Sequence, residues 1–129
     1  DNRLKRMWNA EFEEGTSDVI ESARQQLDEY FAGKRQTFDI PLLFIGTDFQ
    51  KTVWSELLKI PFGTSVSYGE VARRIGRPAA VRAVANANGA NPMSIFVPCH
   101  RVIGSDRSLT GYGGGLGSKQ RLLELEGVL

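Results

Sequence analysis

Cys99 and His100, the only cysteine and the only histidine among 129 residues, are neighbours within Pro98-Cys99-His100-Arg101-Val102. The thiolate, not the thiol, attacks electrophilic carbon, and proteins that use cysteine in this way pair it with an imidazole base and a carboxylate that orients the imidazole. That carboxylate has to come from elsewhere in the chain. An isolated Cys-His dipeptide is more often a small packed hydrophobe beside a loop histidine, so the surrounding residues carry the decision. A single cysteine leaves a free thiol and no internal disulfide, as expected in a reducing compartment. One cysteine and one histidine do not make a transition-metal site, and neither metal nor cofactor is expected.

The chain that must position this pair has an ordinary globular composition, 41% hydrophobic and 24% charged. It suits one compact domain, or one core with a small appended lobe. No apolar run nears the roughly 18 residues of a membrane span, and there is no leader pattern, so no membrane partner is expected. The net charge of +1 hides an asymmetry: residues 1–50 carry six basic and ten acidic side chains, whereas residues 67–121 carry eight basic and two acidic. Arg73, Arg74, Arg77, Arg82, Arg101, Arg107, Lys119 and Arg121 make the second part a candidate phosphate-binding surface.

Arg3 to Asn9 alternates weakly and reads as a strand, as in a chain that begins in the middle of a sheet. Val19, Ile20, Ala23, Leu27, Tyr30 and Phe31 recur at helical spacing, so residues 17–31 read as an amphipathic helix closed by Gly33. Residues 38–44 are extended or strand-like, and Gly46 marks a boundary. Thr47 with Gln50 forms a capping box before a helix with Val53, Trp54, Leu57 and Leu58 on its apolar face, ended by Pro61 to Gly63. Ser67 with Glu70 repeats the capping box ahead of a short helix, residues 68–75, that Gly76 terminates. Pro78 suits the first turn of a following helix reaching Ala87. Two short helices around a glycine turn, with arginines on them, outline a helix-turn-helix. The alanine-rich second helix makes a narrow rod on which Arg82 is the only long side chain.

The glycine run Gly111-Tyr112-Gly113-Gly114-Gly115 and the segment Ser118 to Gly127 complete the pattern. From Phe49 to Gly127 the chain closely resembles the catalytic domain of the 6-O-methylguanine-DNA methyltransferases, through Val66-Ser67-Tyr68-Gly69-Glu70-Val71-Ala72, Val81 to Gly89, Asn91-Pro92 and Pro98-Cys99-His100-Arg101-Val102-Ile103-Gly104. The N-terminal part matches in outline only. The resemblance implies an α+β fold: a small N-terminal α/β lobe (residues 1–45) and a mostly helical C-terminal domain (residues 46–129) with a helix-turn-helix of winged-helix type. It implies direct repair, a monomer working in the cytoplasm of a prokaryote or the nucleus of a eukaryote on double-stranded DNA containing 6-O-alkylguanine. There Cys99 takes the alkyl group irreversibly, in a single turnover.

Residue by residue, the resemblance makes His100 the base, acting through a water, with Glu126 orienting it. Tyr68 bonds the flipped base near a ring nitrogen and donates a proton. Arg82 enters the vacated base stack, with Ala83 on the same groove-facing helix. Ser67, Arg73, Lys119 and Arg121 are candidate phosphate contacts. Asn91, Val97, Val102, Tyr112, Gly113 and Gly114 line or brace the base pocket, whose size near Ser94 sets alkyl preference. Two rival readings stay open at this point: a sensor that binds alkylated DNA without transfer, and a winged-helix regulator with an inert Cys99.

Overall fold

The computed structural model describes residues 18–104 and 116–129. The expected strand at Arg3 to Asn9 and the glycine run with Tyr112, Gly113 and Gly114 lie outside the described residues. The chain divides into two compact units, Asp1–Leu43 and Phe44–Leu129.

In the first unit, helix α1 (Asp18–Phe31) buries Ala23, Gln26, Leu27 and Tyr30. It ends where Gly33 adopts φ +76°, with Gly33 N–H donating to Tyr30 O and Lys34 N–H to Glu29 O. This paired bonding satisfies the orphan carbonyls of the last turn, and the left-handed conformation it needs is open to glycine. The extended segment that follows forms no strand ladder. Its register is held by the Gln26 carboxamide, which donates to Asp39 O (3.0 Å) and accepts from Asp39 N–H (2.8 Å). A side-chain amide thus takes the part a neighbouring strand would play. Tyr30 packs its ring on Phe38 at 5.4 Å.

Among its described residues the second unit is helical, with one two-stranded sheet. Helix α2 (Asp48–Leu57) carries the full capping box: Thr47 Oγ1 accepts from Gln50 N–H, and Gln50 Oε1 accepts from Thr47 N–H. Val53, Trp54 and Leu57 are buried, but Leu58, expected beside them, is 45% exposed, and the helix ends at Leu57, before the expected stop at Pro61 to Gly63. Strand β1 (Val66–Ser67) leads into α3 (Tyr68–Arg74), where Ser67 Oγ caps Glu70 N–H. The Glu70 carboxylate pairs with Arg73 and Arg74 along the exposed face. Gly76, at φ +77°, closes α3 with the same paired bonds as Gly33: Gly76 N–H to Arg73 O, Arg77 N–H to Ala72 O.

Helix α4 (Val81–Gly89) begins three residues later than the proline position suggested. Pro78 lies in a turn closed by Ala80 N–H donating to Arg77 O (2.9 Å), and proline's fixed φ suits the second position of such a turn as well as a first helical turn. Helices α3 and α4 with this connection form a helix-turn-helix. Trp54 Nε1 donates to Ala87 O (2.8 Å), fastening α2 to α4 through the core. A single-turn 3-10 helix, Cys99–Arg101, runs into strand β2 (Val102–Ile103), which pairs in parallel with β1: Val66 faces Val102 and Ser67 faces Ile103. Helix α5 (Leu116–Leu125) packs on the 3-10 turn and buries Leu122 and Leu123. Among the described residues, no helix is long and apolar enough to cross a membrane.

Candidate active site

The turn carrying Cys99 is set by its neighbours. Pro98, at φ −78° and ψ 61°, is the centre of an inverse γ-turn in which Cys99 N–H donates to Val97 O (2.7 Å). Upstream, Asn91 Nδ2 donates to Val97 O (2.9 Å) and Asn91 Oδ1 accepts from Met93 N–H (3.0 Å). Ile95 holds a positive φ of 77° although β-branched, a conformation such residues adopt only when the surroundings impose it. Downstream, Cys99 O accepts from Asn88 Nδ2 (3.1 Å), and β2 anchors the exit.

The carboxylate for His100 is Glu126, just past the end of α5. Its Oε2 lies 2.6 Å from His100 Nε2. The same oxygen accepts from one terminal Arg101 nitrogen (2.9 Å), and Oε1 accepts from Arg101 Nε (2.8 Å). Arg101 also donates to Ile60 O (2.6 Å). A carboxylate held by a bidentate guanidinium is an acceptor, so the imidazole must give it the Nε2 proton. His100 Nδ1 is then a bare lone pair. It is buried and makes no hydrogen bond among the described residues. Burial pushes the His100 pKa below its ordinary value despite the opposing pull of Glu126, so the ring is neutral and fit to take a proton. Burial also pushes the Cys99 thiol up, opposed by hydrogen bonds from Asn91 and Ser94 and by the charge of Lys119. A thiol held this high would need a base before it could attack an electrophile.

Lys119 is the correction to the expected phosphate contacts. It is fully buried, its ammonium donating to Val102 O and lying 3.3 Å from the Tyr68 hydroxyl and 5.5 Å from the centre of that ring. Position 119 falls one helical turn before Leu122 and Leu123 on the inward face of α5, so its amine is carried inside. Desolvation lowers its pKa to about 8, partly offset by Cys99. Tyr68 is buried as well, and desolvation, then the nearness of Cys99, raises its pKa to about 12. The phenol therefore keeps its proton at neutral pH, while the nearby ammonium is available to the oxygen.

Cys99, His100, Glu126, Tyr68 and Asn91 thus share one region, and Val97 and Val102 are fully buried in its wall, their carbonyls engaged by Asn91 and Lys119. Arg82, Ala83, Arg73 and Arg121 are exposed, and Ser67 is half-buried. Sequence reasoning gave no role to Asn88, Arg101 or Lys119 at the site. The signal available was a lysine and an asparagine on faces otherwise occupied by core residues.

Residues 48–128 match the DNA binding domain of the 6-O-methylguanine DNA methyltransferases, and residues 4–44 match the ribonuclease-like domain of the same family. The chain belongs to the 6-O-methylguanine DNA methyltransferase family. It is 59% identical over 108 residues to a methylated-DNA--protein-cysteine methyltransferase of Mycobacterium tuberculosis, covering 84% of this chain and 66% of that protein. One from Methanosarcina acetivorans is 52% identical over 110 residues, covering 85% of this chain and 70% of the relative. The chain therefore spans just under two thirds of the length of the mycobacterial relative. Among solved structures, Mycobacterium tuberculosis OGT in complex with DNA is similar with a TM-score of 0.82 at 56% identity, over 84% of this chain and 67% of that one. S. pombe Atl1 in complex with damaged DNA containing O6-carboxymethylguanine gives 0.56 at 32% identity, over 65% and 80%.

Proposed function

We propose that this methyltransferase-family chain repairs double-stranded DNA by moving an alkyl group from the 6-oxygen of guanine to Cys99, once per molecule and as a monomer. The observation that carries the reading is His100 between a carboxylate on Nε2 and a bare Nδ1, beside the only thiol. The Cys99 proton passes to His100 Nδ1 through a water. The sulfur forms a bond to the alkyl carbon as the carbon–oxygen bond breaks. The departing guanine takes a proton from Tyr68, whose oxygen is steadied by the Lys119 ammonium. The thioether has no second thiol in this chain to resolve it.

The target carbon is shielded in the duplex, so the base must be extruded, at a cost of roughly a few kcal/mol. Arg82, exposed in the first turn of α4, is the residue we assign to the vacated stack, with Ala83 beside it against the minor groove. Arg73, Arg121 and Ser67 are assigned to phosphates, and Tyr112, Gly113 and Gly114 to the pocket. We assign residues 1–45 to an N-terminal lobe and 46–129 to the catalytic, DNA-binding domain, supported by the compact units and by the separate family matches. Such a protein works where chromosomal DNA is, in the prokaryotic cytoplasm or the eukaryotic nucleus. The test is to mix the chain with a duplex bearing one 6-O-methylguanine and weigh the Cys99 peptide. The expected result is one added methylene per protein, absent in Cys99→Ser. Binding without mass change would overturn transfer in favour of sensing.

A further inference from the structure

Asn88 reaches from α4 to the groups that react. It is fully buried, its Nδ2 donates to the Cys99 carbonyl (3.1 Å), and its side chain is hydrogen-bonded to Tyr68. Six residues earlier on the same nine-residue helix stands the exposed Arg82. The main-chain carbonyl of Ala87, its neighbour, is taken by Trp54 Nε1 (2.8 Å), so the helix end that presents Asn88 is itself fixed from below. The Cys99 carbonyl belongs to the 3-10 turn that sets the direction of the thiol, and Tyr68 is the acid assigned to the leaving base.

We propose that Asn88 is a positioning residue for alkyl transfer, one that holds the Cys99 turn and the Tyr68 hydroxyl in a common frame with the helix that carries Arg82. This rests on the transfer reading above and deepens it. The carboxamide suits the task because its Nδ2 carries two N–H donors, one for the Cys99 carbonyl and one for the Tyr68 oxygen. A leucine side chain has the same branched skeleton, with bulkier methyl groups, and bonds neither. A displacement of about 1 Å between reacting groups costs on the order of 100-fold in rate. Asn88 touches neither the alkyl group nor, on this reading, the base, so its loss acts on the transfer step rather than on DNA affinity.

The experiment is single-turnover transfer from excess methylated duplex to wild type, Asn88→Leu and Asn88→Ser. Rate constant and amplitude are read separately, and duplex affinity is measured in a Cys99→Ser background. In such an experiment the amplitude reports the folded fraction, and the rate constant reports the folded molecules alone. Asn88→Leu is expected to transfer about 10- to 100-fold more slowly with duplex affinity within about threefold of the unmutated background. Asn88→Ser, which retains a short donor, is expected to lie between Asn88→Leu and wild type. A variant rate constant equal to wild type, with only the amplitude reduced, would reduce Asn88 to a core residue and overturn the proposal. Should Asn88→Leu give no folded protein, Asn88→Ser decides alone, and a wild-type rate constant for it overturns the proposal. Failure of wild type itself to transfer would instead overturn the underlying repair reading.

Discussion

At Cys99 burial makes the thiol a poorer acid than in water, so the proposed transfer places the burden of activation on His100. Glu126 orients that base, and Glu126→Gln is expected to lower the transfer rate constant about 100-fold or more. The same change leaves the Arg101 guanidinium with a neutral partner inside the protein. Breaking a buried pair costs about 3–5 kcal/mol, so a fall in the urea midpoint should accompany the loss of rate. Acid should act on His100 in a definite direction. Its folded pKa lies below 6.5, so the acidic limb of the rate profile should have its midpoint below pH 6.5. The unfolded histidine gains a proton near 6.5 while the folded one stays bare, so stability is full above that pH and declines as pH falls toward the folded value. Stopped-flow transfer and urea titrations between about pH 5 and 8 would check both. A midpoint at or above 6.5 would contradict a neutral His100 with its proton on Nε2.

Among the elements, the α3–turn–α4 unit depends on short-range chemistry. Gly76 has φ +77°, and a Cβ placed there would meet nothing within 4 Å, so Gly76→Ala tests conformation without a clash. The expected cost is about 1–2 kcal/mol, read as a shift in denaturant midpoint. No measurable shift would mean that the turn relaxes. This turn, the Thr47–Gln50 box and the end of α1 at Gly33 are legible in the sequence because each is decided by partners only a few residues away. The start of α4 is not, because proline fits a turn and a helix start equally well, and the choice falls to the Arg77–Ala80 hydrogen bond.

For the whole molecule, charge has to be sorted by depth before it predicts binding. Of the basic residues described between 67 and 121, Arg101 and Lys119 are internal, while Arg73, Arg74, Arg77, Arg82 and Arg121 are exposed. Each phosphate contact contributes about −0.9 to the slope of log affinity against log salt. Arg73→Ala is therefore expected to flatten that slope by about 0.9. Lys119→Met should leave the slope unchanged and slow transfer, measured by anisotropy and by single-turnover kinetics. A flatter slope in Lys119→Met would place its ammonium at the DNA after all.

Cys99 and its neighbouring histidine, the helix pair with Arg82 on it, and the family are all readable from the sequence, because each is written in contiguous residues or helical periodicity. Folding in three dimensions settles the rest: Arg101 shares the Glu126 carboxylate, Lys119 turns inward to Tyr68, and Asn88 bonds the Cys99 turn. Those partners lie 25, 51 and 11 residues apart in the chain. Residue type cannot settle such pairings: a lysine or arginine has the same chain chemistry in water and in a core. Only the packing of α5 on the 3-10 turn, and of α4 against α2 and α3, determines which of them loses its water and must find a protein partner instead.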